Sequence, residues 1–130
     1  MVALPVPVTV EGSPEIRAQV AHLKAHPNSK AHRQLLKCLE RCAKELLPLH
    51  AHNPKHMLSG PLRGVVWRVK QGRLRVFYAM TATSTVAILL FVGFRKDGDK
   101  NDAYEVLNRR IRAGDFDPQF VQLGVARPAV

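Results

Sequence analysis

The chain predicts an α+β domain in which two N-terminal helices pack on a small antiparallel β-sheet and a helix near the C-terminus closes the structure. Three patterns point there. Apolar residues recur at helical spacing from Ile16 to Leu46, two apolar–polar alternating runs meet at Gln71-Gly72, and residues 85–93 form a continuous apolar stretch. Helices, then a meander, then a helix is an order that lays helices against one sheet face. The length of 130 residues fits one domain, residues 1–130, able to bury one core, placed at about residues 13–114.

Residues 6–10 suit a short edge strand. Ser13 then offers an N-cap hydroxyl, Pro14 stands at the favoured first helical position, and Glu15 complements the helix dipole. Ile16, Val20 and Leu23 continue at helical spacing until Pro27 restricts the residue before it, so this helix should stop near Ala25 or His26. Asn28 or Ser29 can cap a second helix. Its apolar stripe is Leu35, Leu36, Leu39, Cys42, Ala43 and Leu46, its outward face Lys37, Glu40, Arg41, Lys44 and Glu45, and Pro48 should end it. Cys38 and Cys42, the only cysteines, share one helical face. The general burial of free thiols favours a core role for them over a redox or metal pair. Residues 49–62, rich in proline and histidine, read as a loop that crosses to the sheet.

Residues 65–78 then read as a hairpin, with Gln71-Gly72 as a two-residue turn and the glycine supplying the positive φ. That register sets Lys70 opposite Arg73, Arg68 opposite Arg75 and Val66 opposite Phe77. Val65, Trp67, Val69, Leu74, Val76 and Tyr78 make one face a core wall. The other face gathers Arg68, Lys70, Arg73 and Arg75 and is expected to stay open. Like charges directly opposite each other cost roughly 0.2–1 kcal/mol per pair, which an anionic partner would offset. The plainer alternative is a solvated face whose long stems cover apolar surface. No Asp or Glu occurs between Glu45 and Asp97, and this favours the partner.

After a turn at residues 81–84, residues 85–93 should form the central strand, buried on both faces, with Arg95 and Lys96 leaving its end. In the polar turn at residues 97–101, Asp99 or Asn101 can cap a last helix that runs to about Ala113. Tyr104, Leu107 and Ile111 form its apolar face and Gly114 stops it. Beyond Asp117 the interruptions at Pro118, Gly124 and Pro128 predict a loosely packed tail.

Twenty Lys and Arg against ten Asp and Glu give a formal charge of +10, and the sequence pI is near 10.3. Such a balance points to a polyanion: nucleic acid first, a ribosome or an acidic protein next. No apolar run approaches the roughly 18 residues of a membrane span. The start of the chain has no basic leader and contains Pro5 and Pro7, unlike a secretory signal. A cytoplasmic protein with no membrane contact is the expectation. His50, His52 and His56 fit no standard zinc spacing, so neither metal nor cofactor is expected.

The segments Trp67-Arg68-Val69-Lys70, Arg73-Leu74-Arg75-Val76-Phe77-Tyr78, Gly93-Phe94-Arg95-Lys96 and Lys100-Asn101-Asp102-Ala103-Tyr104, with the hydrophobic strand among them, resemble bacterial toxins of the RelE/ParE superfamily. The likeness is greatest to its YhaV-like branch. It extends to residues 27–47 and to Arg112-Ala113-Gly114-Asp115-Phe116, and so covers about residues 16–120. The resemblance implies a RelE-like fold and the toxin of a type II toxin–antitoxin system. Such a toxin is an mRNA interferase that cuts messenger RNA, often on the ribosome, inhibits growth, and is held inactive by a cognate antitoxin. A small dimeric antitoxin of the swapped-hairpin DNA-binding type is the implied partner. The resemblance also places Arg75 on the scissile phosphate, makes Arg95 the second catalytic arginine and gives Tyr104 the aromatic catalytic or base-stacking position. Arg68 lies with Lys70 on the basic strand and, with Arg73, Lys96 and Arg63, is expected to bind RNA.

Metal-free RNA cleavage needs a base for the ribose 2′-OH, cations around the pentacoordinate phosphate and an acid for the leaving 5′ oxygen. The hairpin holds no carboxylate. Lys70 is therefore the preferred base, since repulsion from Arg73 and Arg75 favours loss of its proton. Arg75 and Arg95 would clamp the phosphate through their planar guanidinium groups. Arg95 or Tyr104 would serve the leaving group, and the sequence leaves that choice open. Tyr104 equally fits a core tyrosine, Asp102 reads as a first-turn dipole residue rather than a base, and Trp67 as core. For the charges of the second helix, ribosomal RNA is a possible partner and solvation the simpler reading. A ParE-like gyrase inhibitor and a non-catalytic nucleic-acid or antitoxin-binding module are the alternatives to a nuclease. The first would block supercoiling with RNA intact, and the second would bind salt-dependently without turnover.

Overall fold

The structure, a computed structural model, describes residues 7–130. Strand β1 (Thr9–Gly12) begins later than the expected edge strand, whose Val6 lies outside the described residues, as does most of the stretch read for a leader. Helix α1 (Pro14–Ala25) follows with the expected start: the Ser13 hydroxyl accepts a hydrogen bond from the Ile16 N–H. Helix α2 (Lys30–Arg41) is capped by Ser29, one of the two candidates, through a bond from the His32 N–H.

Pro48 does not end this helical segment. A π turn at Cys42–Leu46 intervenes, in which the Leu47 N–H reaches back to the Cys42 carbonyl, and the chain coils on through α3 (Leu47–His50). A proline ring clashes with the carbonyl four residues back and gives no N–H; the wider turn just ahead of it relieves both demands on the helix. Two short 3₁₀ turns, Pro54–His56 and Gly60–Leu62, then lead to the sheet.

Strands β2 (Val66–Gln71), β3 (Leu74–Ala79) and β4 (Val86–Phe94) form the antiparallel meander, and β1 adds to β4 in parallel, giving the order β1-β4-β3-β2. The residues 85–93 stretch thus lies inside the sheet, as its unbroken hydrophobicity requires. A bulge shifts the β3–β4 register between Phe77 and Tyr78, pairing Phe77 with Phe91 but Tyr78 with Leu89. The extra residue, Leu90, lets β4 turn both Leu90 and Phe91 toward the same apolar layer.

The hairpin register differs from the expected one. Gln71 pairs with Leu74, Lys70 with Arg75 and Arg68 with Phe77, so the turn is Gly72-Arg73. Gly72, at φ 58°, takes the first turn position, where a primed hairpin turn demands a positive φ. Shifting each strand by one residue leaves the faces unchanged, because the parity of both strands moves together. Arg73 leaves the ladder, however, and Lys70 and Arg75 become the one directly opposed cationic pair.

Helices α4 (Ala103–Arg112) and α5 (Asp117–Leu123) complete the chain. The basic hairpin face is not left open. Helices α1, α2 and α3 pack on the face of Trp67, Val69, Val76 and Tyr78, together with the buried Cys38 and Cys42. Helices α4 and α5 pack on the other, against Val66, Phe77, Ala79, Ile88 and Leu90. The sheet is therefore covered on both sides, and the cations emerge where α4 begins. The tail is not loose either: Phe116 and Phe120 are buried, each contributing about 1.5–3 kcal/mol by leaving water. Prolines suggested interruption there, but Pro118 sits in the first turn of α5, where a proline N–H is not needed.

Candidate nucleic-acid cleavage site

The site forms where the N-terminus of α4 meets the ends of β2, β3 and β4. Gly93 of β4 lies opposite Arg75, and a Cβ added there would come within 3.1 Å of the Ala103 Cβ and 3.0 Å of the Phe91 ring. Its missing side chain lets α4 approach the sheet closely. Asp102, rather than Asp99 or Asn101, caps that helix: its carboxylate accepts from the Tyr104 N–H at 3.1 Å and from the Lys96 N–H at 2.5 Å. The same carboxylate binds the Arg95 Nη1 at 2.6 Å, while Asp97 binds the Arg95 Nη2 at 2.5 Å. Burial pushes the Asp102 carboxyl up, but the bonds from Arg95 and the two backbone N–H groups outweigh it and hold it below its ordinary value. The bond to Asp102 leads in raising Arg95 in turn.

Tyr104 is thereby fixed at the centre. Its ring packs edge-on against Phe77 at 5.4 Å between centroids, and the Arg95 guanidinium lies 5.2 Å from the ring centre. The Nε–H groups of Arg68 and Arg75 both donate to its hydroxyl oxygen, at 3.0 and 3.2 Å. A phenol oxygen has two acceptor positions and one proton; with both acceptor positions occupied, the O–H remains to donate outward. Tyr104 is thus half-buried by its ring, while its hydroxyl lies among the cations at its tip.

Arg68 also donates to the Lys55 carbonyl at 2.9 Å, and Arg75 to the carbonyls of Gly72 at 2.7 Å and Leu74 at 2.9 Å. These bonds, all made through Nε and Nη1, orient both guanidinium planes. Arg75, Arg95 and Tyr104 therefore come together from three elements, with Arg68 beside them and exposed Lys70 paired across the ladder from Arg75. Among the described residues no carboxylate pairs with Arg68, Lys70, Arg73 or Arg75; the nearby acids are taken by Arg95. Arg73 stands exposed in the turn, its carbonyl bonded by the Arg95 N–H at 2.7 Å, and Lys96 is held by its backbone with its side chain exposed. Arg63 stands apart, before β2 and at the end of that strand away from the turn.

Two neighbours were not among the expected site residues. Lys55 and His56 line a cleft of about 400 Å³ with Leu46, Arg68, Val69 and Lys70. Burial, followed by the charge of Lys55, lowers His56 from its ordinary value, and its Nδ1 lies 3.3 Å from the Tyr78 hydroxyl. Both residues come from the loop, where spacing carries no periodic signal, so only the fold reveals them. Trp67 faces the opposite core, its Nε1–H donating to the Met80 carbonyl at 2.9 Å.

A cradle of guanidinium groups around a phenol, free of competing carboxylates on the hairpin side, has the charge and geometry that suit a phosphodiester backbone. Residues 6–126 match the family model of the YhaV toxins, described as toxins with endonuclease activity of toxin–antitoxin systems, and the chain belongs to that family. No curated protein matches the chain. Among solved structures, the toxin–antitoxin complex RelBE2 of Mycobacterium tuberculosis contains a similar chain, with a TM-score of 0.51 and 22% identity over 71% of this chain and 95% of that one. That likeness shows the RelE-like fold. No helix among the described residues is long and apolar enough to cross a membrane.

Proposed function

We propose that this toxin is an mRNA interferase: an endoribonuclease that cleaves messenger RNA, met on the ribosome in the cytoplasm, and so arrests growth. The observation that carries the reading is the convergence of Arg68 and Arg75 on the Tyr104 hydroxyl, with Arg95 over its ring. In this reading the scissile phosphate lies against Arg75 and the exposed side of Arg95. Its oxygens displace Asp97 from Nη2 while buried Asp102 keeps hold of Nη1. Lys70 serves as the base for the ribose 2′-OH, whose oxygen attacks phosphorus. The 5′ oxygen departs with a proton from Tyr104, leaving a 2′,3′-cyclic phosphate and a 5′-hydroxyl end. Arg68, Arg73, Lys96 and Arg63 hold the flanking backbone. Guanidinium and ammonium groups supply the positive charge, so cutting should persist in excess EDTA.

The cognate antitoxin, a small dimer of the swapped-hairpin DNA-binding type, silences the toxin by covering the cationic cradle. The test is induction in bacteria without antitoxin, with RNA ends mapped in the arrested cells and in purified reactions with and without ribosomes. Arrest and new 5′-hydroxyl ends, both lost in Arg75→Ala, are expected. Arrest with intact RNA and blocked supercoiling would refute the nuclease reading.

A further inference from the structure

The sheet end that carries the cradle has a second side. There α2 and the hairpin enclose a groove of about 410 Å³ lined by Gln34, Lys37, Arg41, Gln71, Gly72 and Leu74, with no acidic residue in its wall. Gln34, Lys37 and Arg41 follow one another at helical spacing along the exposed side of α2. Glu40 lines a different groove, against α1, with Arg17, Lys24 and Lys44. Glu45 reaches Arg41 only at 4.0 Å, with both side chains largely in water, so Arg41 stays available. Beside this groove Phe94 pairs with Leu74 across the ladder and is 51% exposed. It is the residue immediately before Arg95, and its side chain takes the face opposite to that of Gly93.

A positive groove beside a bare aromatic ring is the arrangement that holds single-stranded nucleic acid: cations track the backbone and a base stacks on the ring. The carbonyls of Gly72 and Leu74, which hold Arg75, belong to residues of the same groove wall. A strand leaving the cradle past Arg73 therefore enters the groove by rounding the hairpin tip. We propose that the α2–hairpin groove is an extended subsite for the single-stranded RNA flanking the cleaved linkage, with Phe94 stacking an unpaired base and Lys37 and Arg41 neutralising the backbone. The assignment rests on the nuclease reading and deepens it by giving the enzyme a preference for long, unpaired substrate.

The test uses 2′-O-methyl oligoribonucleotides, which lack the attacking hydroxyl, in a short form that fills only the cradle and a longer form that reaches the groove. Anisotropy titrations of the full chain across a range of salt concentrations read affinity and counterion release together. For the long probe, Phe94→Ala should weaken binding about tenfold, since one stacked base is lost. Lys37→Ala with Arg41→Ala should reduce the slope of log K against log salt by about 1.4, the share of two phosphate contacts on a single strand. Neither change should affect the short probe. All these side chains are exposed, and matched thermal unfolding will show whether the variants are folded. Unaltered affinity and slope for the long probe in both variants would overturn the subsite. So would equal losses on the short probe. If the variants show the expected pattern yet the wild-type protein generates no RNA ends in cells, the nuclease reading fails, and the groove is overturned as a subsite of cleavage and left as a binding site for single-stranded RNA.

Discussion

Two arginines that look alike in sequence carry different structural burdens. Arg75 is held by carbonyls of its own turn and by the Tyr104 hydroxyl, so Arg75→Ala removes positive charge from the cradle and leaves no buried charge behind. Cleavage should fall by roughly 10²–10³-fold with little change in the unfolding midpoint, as for a lost transition-state donor. Arg95→Ala instead strips Asp102 of its cationic partner, so this variant should lose activity and also unfold at lower temperature. Nothing in the sequence shows that Asp102 is buried, so this difference between the two arginines is legible only in the fold. Tyr104→Phe keeps the packing on Phe77 and removes only the tip; turnover should drop about 10²-fold with folding intact, measured by single-turnover cleavage and thermal unfolding. Asp102 sits below its ordinary 3.8 in the folded state. The stability it supplies is therefore complete above that value and is lost as pH falls through the depressed one. Asp102→Asn should accordingly flatten the acid limb of the stability–pH curve.

At the scale of elements, the close meeting of β4 and α4 at Gly93 sets where Tyr104 stands. Gly93→Ala would press a methyl group against Ala103 and Phe91 at distances of 3.1 and 3.0 Å, and the helix must move to admit it. A cost of about 1–3 kcal/mol in urea unfolding is expected, together with loss of cleavage out of proportion to it, because the shift carries the Tyr104 hydroxyl that the proposed mechanism uses. Which elements form was legible wherever a local rule decides: Ser13 and Pro14 start α1, and the two-residue periodicity fixes the faces of β2 and β3. Where two local rules compete, the sequence could not choose. Both Gln71-Gly72 and Gly72-Arg73 satisfy a glycine-containing turn, and the ladder forms around the second. Asp99 and Asn101 were the caps expected for α4, but Asp102, expected in its first turn, takes that place and also binds Arg95. The π turn ahead of Pro48 has no periodic signature at all.

For the whole molecule, the decisive fact is that the sheet is covered twice. The expectation of an open basic face followed from laying every helix against one sheet face; α4 packs on the other, joined there by α5, whose short apolar face prolines and a glycine conceal. That helix brings Phe120 into the same buried layer as Leu107 and Ile111 of α4, so the C-terminal segment supports the helix that presents Tyr104. Arg110 adds a clamp between layers, bonding Glu15 of α1 and Asp115 while lying over the ring of Phe116. Phe120→Ala should therefore cost about 3–5 kcal/mol, read as a fall in the urea midpoint at unchanged slope. The consequence for catalysis separates two ways in which α5 could matter. If it only supports α4 from behind, the variant at low temperature, where it remains folded, should cleave at nearly the wild-type rate and fail abruptly as it unfolds. If α5 also sets the position of α4 on the sheet, turnover should fall even in fully folded protein. The first outcome is expected: Gly93 and Asp102 fix the N-terminus of α4 directly, whereas Phe120 packs against the layer formed by its buried side chains.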